Sequence, residues 1–288
     1  MTRSASEGGF LITGALGMLG RAWVELCISE GLEYRATDRD ELDVCDRGAV
    51  EAALKESGAA TLVNCAAYTD VDGAESEYEE AARLNGAAVR TLAECCETAG
   101  VTLVHYSTDY VFDGSDNTPY QTNHPREPMN AYGRSKALGE EAIETSGVEF
   151  LCVRTSWLYA PWGTNFVRTI AKAARERDEL RVVNDQRGRP TEARQLASNT
   201  LGLLRHGARD MHHLTDSGEC SWYEFAREIV KQLGLSTAVT PCSSEEYKRA
   251  ARRPTYSVLD IAESETILKP LPHWSISLER ALAAMESD

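Results

Sequence analysis

Phe10-Leu11-Ile12-Thr13-Gly14-Ala15-Leu16-Gly17-Met18-Leu19-Gly20 decides the fold. Phe10 to Thr13 is a short apolar run that ends at three glycines spaced three apart. Leu19, Trp23, Leu26 and Cys27 then recur at helical spacing, so strand, glycine turn and helix follow one another. Glycine suits a sharp strand-to-helix turn and lets a pyrophosphate approach the N–H groups at the helix start. Gly14, Gly17 and Gly20, with Met18 and Leu19 between them, are therefore candidates to line a dinucleotide. Tyr34 to Thr37 gives a second strand leading to Asp38, 24 residues after Gly14. An acidic residue there is placed to hold a ribose hydroxyl. Arg39 beside it suits either a 2′-phosphate or plain solvent.

Outward from this unit, strands are expected at Thr61–Cys65, Val101–Tyr106, Val148–Val153 and Leu180–Val183. Helical patterns separate them, at Val50–Leu54, Ala81–Cys96 and Tyr132–Ile143. Such alternation implies an α/β fold, a doubly wound parallel sheet covered on both faces. After about residue 155 the alternation weakens. Helices are expected at Phe166–Ala174, Gln195–Leu204 and Trp222–Leu233, between polar Gly- and Pro-bearing loops. The expected organisation is a dinucleotide-binding body over residues 10–155, rejoined by later segments, and a smaller substrate lobe over 156–288. The cleft between them lies beyond the carboxyl ends of the strands.

Tyr132 and Lys136 stand four residues apart, which puts them on one helix face a turn apart. Pro128-Met129-Asn130 marks the helix start. An ammonium near a phenol would lower its pKa and make it able to exchange a proton near neutrality. Ser107-Thr108 ends a strand about 25 residues upstream, where a hydroxyl would donate to a substrate carbonyl. Spaced like this on any helix, a Tyr–Lys pair can also be a surface pair. The flanking text favours chemistry.

Composition bounds the alternatives. The 288 residues carry 30 basic and 45 acidic side chains, a net charge of −15. That field disfavours nucleic acid or an anionic membrane as partner. It also requires a local basic patch for any anionic substrate. No apolar run approaches the ~20 residues of a membrane span. Met1 to Gly9 is polar and reads as a frayed tail without a secretory h-region. Eight cysteines form no C-x-x-C pair and sit mostly in apolar stretches. Cytoplasmic, reduced thiols are expected. Cys220 with His212 and His213 matches no zinc spacing, and no metal ligand set is assigned.

The chain resembles the extended short-chain dehydrogenase/reductase superfamily, and within it the dTDP-4-dehydrorhamnose reductases, from Phe10 to about Met285. The segments that carry the resemblance are Asn64–Asp72, Tyr106–Phe112, Tyr132–Lys136, Arg154–Trp157, Asn165-Phe166, Asn184–Gln186 with Gly188 and Pro190-Thr191, and Arg252-Arg253-Pro254. The resemblance implies reduction of the C4 ketone of a dTDP-4-dehydro sugar by NADPH or NADH. It makes Tyr132 the general acid, Lys136 its partner and a grip on the nicotinamide ribose, and Thr108 the usual hydroxyl with Asp109 next to it. Asp43 and Val44 would flank the adenine, and Ala66 and Ala67 would pass under the cofactor. Trp157 and Asn165 would meet the sugar nucleotide. Arg253, in a loop after a helix expected to begin near Ser243, would contact the diphosphate. Related dehydratases carry an acid where this chain has Tyr110, which disfavours elimination. Some relatives hold a divalent metal through glutamates at a dimer interface. Glu25 and Glu192 are loose candidates for such a Mg2+ site, and a homodimer is an open expectation. Two rivals remain at this stage. One is a non-catalytic regulatory subunit like the methionine adenosyltransferase beta subunit, and the other is a reductase of another 4-keto-6-deoxy sugar.

Overall fold

A computed structural model describes residues 8–286. The frayed-tail expectation falls, apart from Gly8 and Gly9, outside the described residues. Five strands, β1 (Phe10–Thr13), β2 (Tyr34–Ala36), β3 (Thr61–Asn64), β4 (Thr102–Thr108) and β5 (Phe150–Thr155), join a sixth, Asp210–His213, in one parallel sheet. The spatial order is β2, β1, β3, β4, β5 and the sixth strand. From β1 the chain goes outward to β2 and returns to β3 on β1's other side. That reversal opens a crevice past the carboxyl ends of β1 and β3, where ligands bind in such sheets.

The strands are buried on both faces, hence their near-continuous apolar text. On one face Phe10, Ile12, Val63, Val104, Leu151 and Val153 pack against α1 (Met18–Glu30) and the helix Ala193–Arg205. Trp23, fully buried there, also donates its indole N–H to Tyr106 Oη at 2.7 Å. Truncating a side chain of that size to alanine costs about 3–5 kcal/mol. The other face sets Leu11, Leu62 and Leu103 against α2 (Arg47–Ser57) and α4 (Ala88–Ala99), with Ile143 of α5 (Ala131–Glu144). A short helix α3 (Tyr78–Ala82) and a π-helical turn, Arg83–Ala87, lead into α4.

A separate apolar cluster gathers the helices Phe166–Glu176, Trp222–Gln232 and Trp274–Glu286 around Phe225, Ile229 and Leu278. Here two expectations need correction. Leu180–Val183 is a strand, observed as Glu179–Val183, but it pairs with Ala238–Cys242 outside the main sheet. Its alternating exposed and buried residues suit a two-stranded ribbon, not a sheet interior. The sheet's sixth strand is instead Asp-Met-His-His, too short and polar to read as one. No helix begins near Ser243: Tyr247 N–H reaches the Ser243 carbonyl in a single turn that does not continue. The two helices after residue 260, Ala262–Leu268 and Trp274–Glu286, were not anticipated.

Candidate functional site

The glycine turn forms a cradle at the end of β1. Gly14 has φ +64°, and a Cβ there would lie 2.7 Å from Ala66 N, inside the adjoining backbone. Only glycine fits such a position. Ala66 and Ala67 lie half-buried just beyond β3, so two strand ends meet across the crevice. α1 starts at Gly17 with no side-chain cap, which leaves its first N–H groups pointing outward beside Met18, Leu19 and Gly20. A helix start of this kind receives an anion. Asp38 closes the cradle's far wall. Its Oδ2 accepts from Leu16 N at 2.9 Å and its Oδ1 from Arg39 N at 2.8 Å. Arg39 itself is 91% exposed, 3.8 Å from Asp40. Asp43 is exposed and Val44 buried, one after the other along the same rim. These residues fit a dinucleotide.

Thr108 and Tyr132 come together at the carboxyl end of β4. Asn130 caps α5, accepting from Gly133 N at 2.7 Å, and so sets Tyr132 in the first turn. A Cβ on Gly133 would strike the Tyr110 carbonyl, so the glycine lets α5 dock against the segment after β4. This docking brings the Tyr132 phenol to Thr108. Thr108 Oγ1 also donates to Asp109 Oδ1 at 3.0 Å, and the Tyr110 ring meets the Tyr132 ring edge-on at 6.2 Å. Burial pushes the Asp109 carboxyl up to about 7, against hydrogen bonds from Ser257 and Thr108, and its Oδ2 has no partner.

The expected pull of Lys136 on Tyr132 is not what the structure shows. Lys136 is buried, with Nζ turned under the sheet to 3.4 Å from His105 Nε2. Burial lowers its own pKa to about 8. The phenol is raised above its ordinary value, first by burial and then by Asp109, while Thr108 opposes the rise. Desolvation disfavours either charged form, phenolate or ammonium. A phenol that keeps its proton is able to donate it.

In the second half the residues are less free than the text suggested. Arg253 makes a bidentate pair with Asp72, at 3.1 and 2.8 Å, and also reaches Tyr110. Arg249 stands 3.8 Å from the same carboxylate. Asn130 Nδ2 donates to the Arg252 carbonyl at 2.8 Å, which ties this segment to the start of α5. Trp157 has φ +48°, a strained conformation for an aromatic residue. Its ring stacks on Trp222 at 3.5 Å between centroids and 10° between planes. Asn165 caps the helix Phe166–Glu176 and donates to the Ala160 and Trp162 carbonyls, so its amide is engaged locally.

The Mg2+ expectation has no support. Glu25 lies between Arg21 at 3.2 Å and Arg194 at 2.8 Å, and Glu192 caps the next helix through Gln195 N. Among the described residues, no three acidic, His or Cys side chains gather as a metal site. No helix among them is long and apolar enough to cross a membrane.

Several neighbours of the site were missed. Asn85, in the π-helical turn, donates to Ser135 Oγ at 2.9 Å and pairs with both backbone groups of Tyr68. Asn64 and His105 sit under Lys136. Glu140, a turn beyond Lys136, forms a buried pair with Arg154 at 2.7 Å. For Asn64, His105 and Arg154 the available signal was a polar residue inside an otherwise apolar strand.

The parallel strand order, the glycine cradle and the meeting of Thr108 with Tyr132 are those of an extended short-chain dehydrogenase/reductase. The model of the RmlD substrate binding domain matches residues 9–287, and the chain belongs to that family. It is similar to dTDP-4-keto-6-deoxy-D-glucose reductase of Streptomyces niveus, 39% identical over 282 residues, 97% of this chain and 98% of that one. It is also similar to dTDP-4-dehydrorhamnose reductase of Streptomyces griseus, 40% identical over 284 residues, 96% of this chain and 93% of that one. The crystal structure of dTDP-4-dehydrorhamnose reductase from Bacillus anthracis, in complex with NADP, superposes with a TM-score of 0.93. Its identity is 35%, and the match covers 96% of this chain and 99% of that one.

Proposed function

We propose that this protein reduces the C4 ketone of dTDP-4-dehydro-L-rhamnose to the alcohol of dTDP-L-rhamnose, using NADPH or NADH. When bound, the dihydronicotinamide supplies the hydride that the carbonyl carbon receives. The chain's residues handle binding, charge and the proton. Gly14, Gly17, Met18, Leu19 and Gly20 hold the pyrophosphate, Asp38 a ribose hydroxyl, Asp43 and Val44 the adenine, and Ala66 and Ala67 the underside. Thr108 donates to the ketone oxygen as it becomes an alkoxide, and Tyr132 gives that oxygen its proton. Donors preorganised in this way are worth roughly 3–4 kcal/mol each. Lys136 grips the nicotinamide ribose one turn on. Trp157 lies along the sugar nucleotide, Asn165 shapes the loop beneath it, and Arg253 turns its fork between Asp72 and the diphosphate. Residues 10–155 supply mainly the cofactor side, and 156–288 mainly the substrate side.

The single observation behind this reading is the meeting of the Thr108 hydroxyl and the proton-bearing Tyr132 phenol at the end of β4, beside the cradle. Tyr110 stands where elimination would need an acid, which favours reduction alone. A second reading, another dTDP-4-keto-6-deoxy sugar as substrate, draws on the Streptomyces niveus relative's name. The test is NAD(P)H oxidation against a panel of nucleotide 4-keto sugars. Highest kcat/KM with dTDP-4-dehydro-L-rhamnose supports the first reading, and a different best sugar supports the second. No oxidation with any of them would return the regulatory-subunit reading.

A further inference from the structure

Trp162 lies beyond β5, in the half of the chain expected to serve the substrate, yet it is seated on the cofactor side. Its side chain is buried, at 7% exposure, and its Nε1–H donates to the Met18 carbonyl at 3.2 Å, across 144 residues. Met18 opens α1, directly after the glycine turn. The guanidinium carbons of Arg21 and Arg194 stand 4.3 and 4.5 Å from the centre of the indole, and Glu25 binds both arginines. Such contacts hold the ring in place. Next along the chain, Gly163 turns at φ +70°, and a Cβ there would come within 2.9 Å of Met18 Cγ. Asn165 Nδ2 stands 3.6 Å from Met18 Sδ while donating to the Ala160 and Trp162 carbonyls. Residues 162–165 therefore hold Met18 by its backbone and by its side chain.

The Met18 carbonyl and the Leu19 N–H belong to one planar peptide unit. In a helix the carbonyl points along the axis and the N–H points back toward the open end. Leu19 sits in the first turn of α1, where no carbonyl of its own helix reaches its N–H. A donor on the carbonyl fixes the plane of the unit. It also polarises the unit, which strengthens the N–H at the other end. Any buried indole needs a partner for its N–H. This one has taken the peptide whose free end faces the cradle.

We propose that Trp162 is a positioning residue for the cofactor: through the Met18 carbonyl, its indole N–H aims and strengthens the Leu19 N–H that receives the pyrophosphate. The proposal rests on the reading of the glycine cradle given above.

The test uses the full-length protein. Met18-Leu19 is the only Met-Leu step in the sequence. Labelling methionine with 13C at its carbonyl and leucine with 15N therefore gives a single NMR signal for this peptide. Trp162→Phe keeps a ring and removes the N–H. The Met18 carbonyl 13C and the Leu19 amide 1H should both move upfield in the unliganded protein. In calorimetric titration NADP+ should bind about threefold more weakly, the scale of an anion's gain at a helix start, and dTDP equally well. An unmoved signal or an unchanged NADP+ affinity overturns the proposal. So does an equal loss for dTDP, because a loop that had merely loosened would carry Trp157 and Asn165 with it. If Trp162→Phe fails to fold, Gly163→Ala, whose methyl would push the loop off Met18, should give the same three results. The cradle reading is checked apart, in the wild type. NADP+ that binds without moving this signal overturns the cradle reading and the proposal with it, whereas a failure confined to the variants overturns the proposal alone.

Discussion

The two halves of the site are held in different ways. Around β1, β3, β4 and α5 the backbone does the placing. Strand ends, a bare helix start at Gly17 and an asparagine cap at Asn130 put Tyr132, Thr108 and the cradle where they are. In the later half, side chains hold one another. Arg253 is clamped by Asp72, a partner 181 residues away, and Trp157 is pressed on Trp222 with its backbone strained. A site placed by backbone should lose chemistry cleanly when a side chain is trimmed. One placed by side chains should lose binding and local order together.

The sharpest trial of that contrast is Tyr132→Phe, which keeps the ring and removes the proton donor. We expect kcat to fall about 10²-fold or more, with cofactor affinity unchanged, in steady-state assays and cofactor titration. Near-normal turnover would remove Tyr132 from the mechanism. Next, Arg253→Ala should raise KM for the sugar nucleotide at least about tenfold, or 1.4 kcal/mol. NAD(P)H binding should be spared. Asp72→Asn is the companion. If Arg253 serves only to tie down Asp72, both variants lose the same stability and neither changes KM.

Asp109 offers a smaller effect with a definite sign. Its folded pKa of about 7 lies above the unfolded carboxylate value of about 4. Between them the folded state binds more protons, so its stability falls as pH rises through that window. Asp109→Asn should thus raise Tm at pH 8 by about 2–4 °C, corresponding to roughly 1 kcal/mol. The gain should fade by pH 4, and a gain that persists there would have another source. Smallest is Arg39→Ala, expected to raise KM for NADPH about two- to threefold more than for NADH, an exposed-charge effect. Equal changes would make Arg39 a plain surface charge.

The same division decides what could be read from the text. β1, the glycine turn, α1 and α5 declare themselves because strand and helix periods and capping residues are local. The Thr108–Tyr132 meeting was readable because both positions end or begin regular elements. Lys136 was read on its helix, but its surroundings were not, since His105, Cys152 and Cys65 come from β4, β5 and the segment after β3. Arg253 was read as a free cation because its partner, Asp72, is remote in sequence. The sixth strand escaped because Asp210–His213 carries two histidines and lies at the sheet edge, paired with β5 on one side.

That sixth strand, with the helix Ala193–Arg205, has a consequence for synthesis. A nascent chain that has reached only Thr155 has made every group proposed to do chemistry. It has α1 but not the second helix packed beside it on the face of Phe10, Ile12, Val63 and Val104, nor the strand that closes the edge of β5. A half-covered apolar face beside an open edge invites association with other chains. Emergence from the ribosome must therefore pass residue 213 before this sheet is safe, and a fragment cut at the apparent domain boundary should aggregate, not fold.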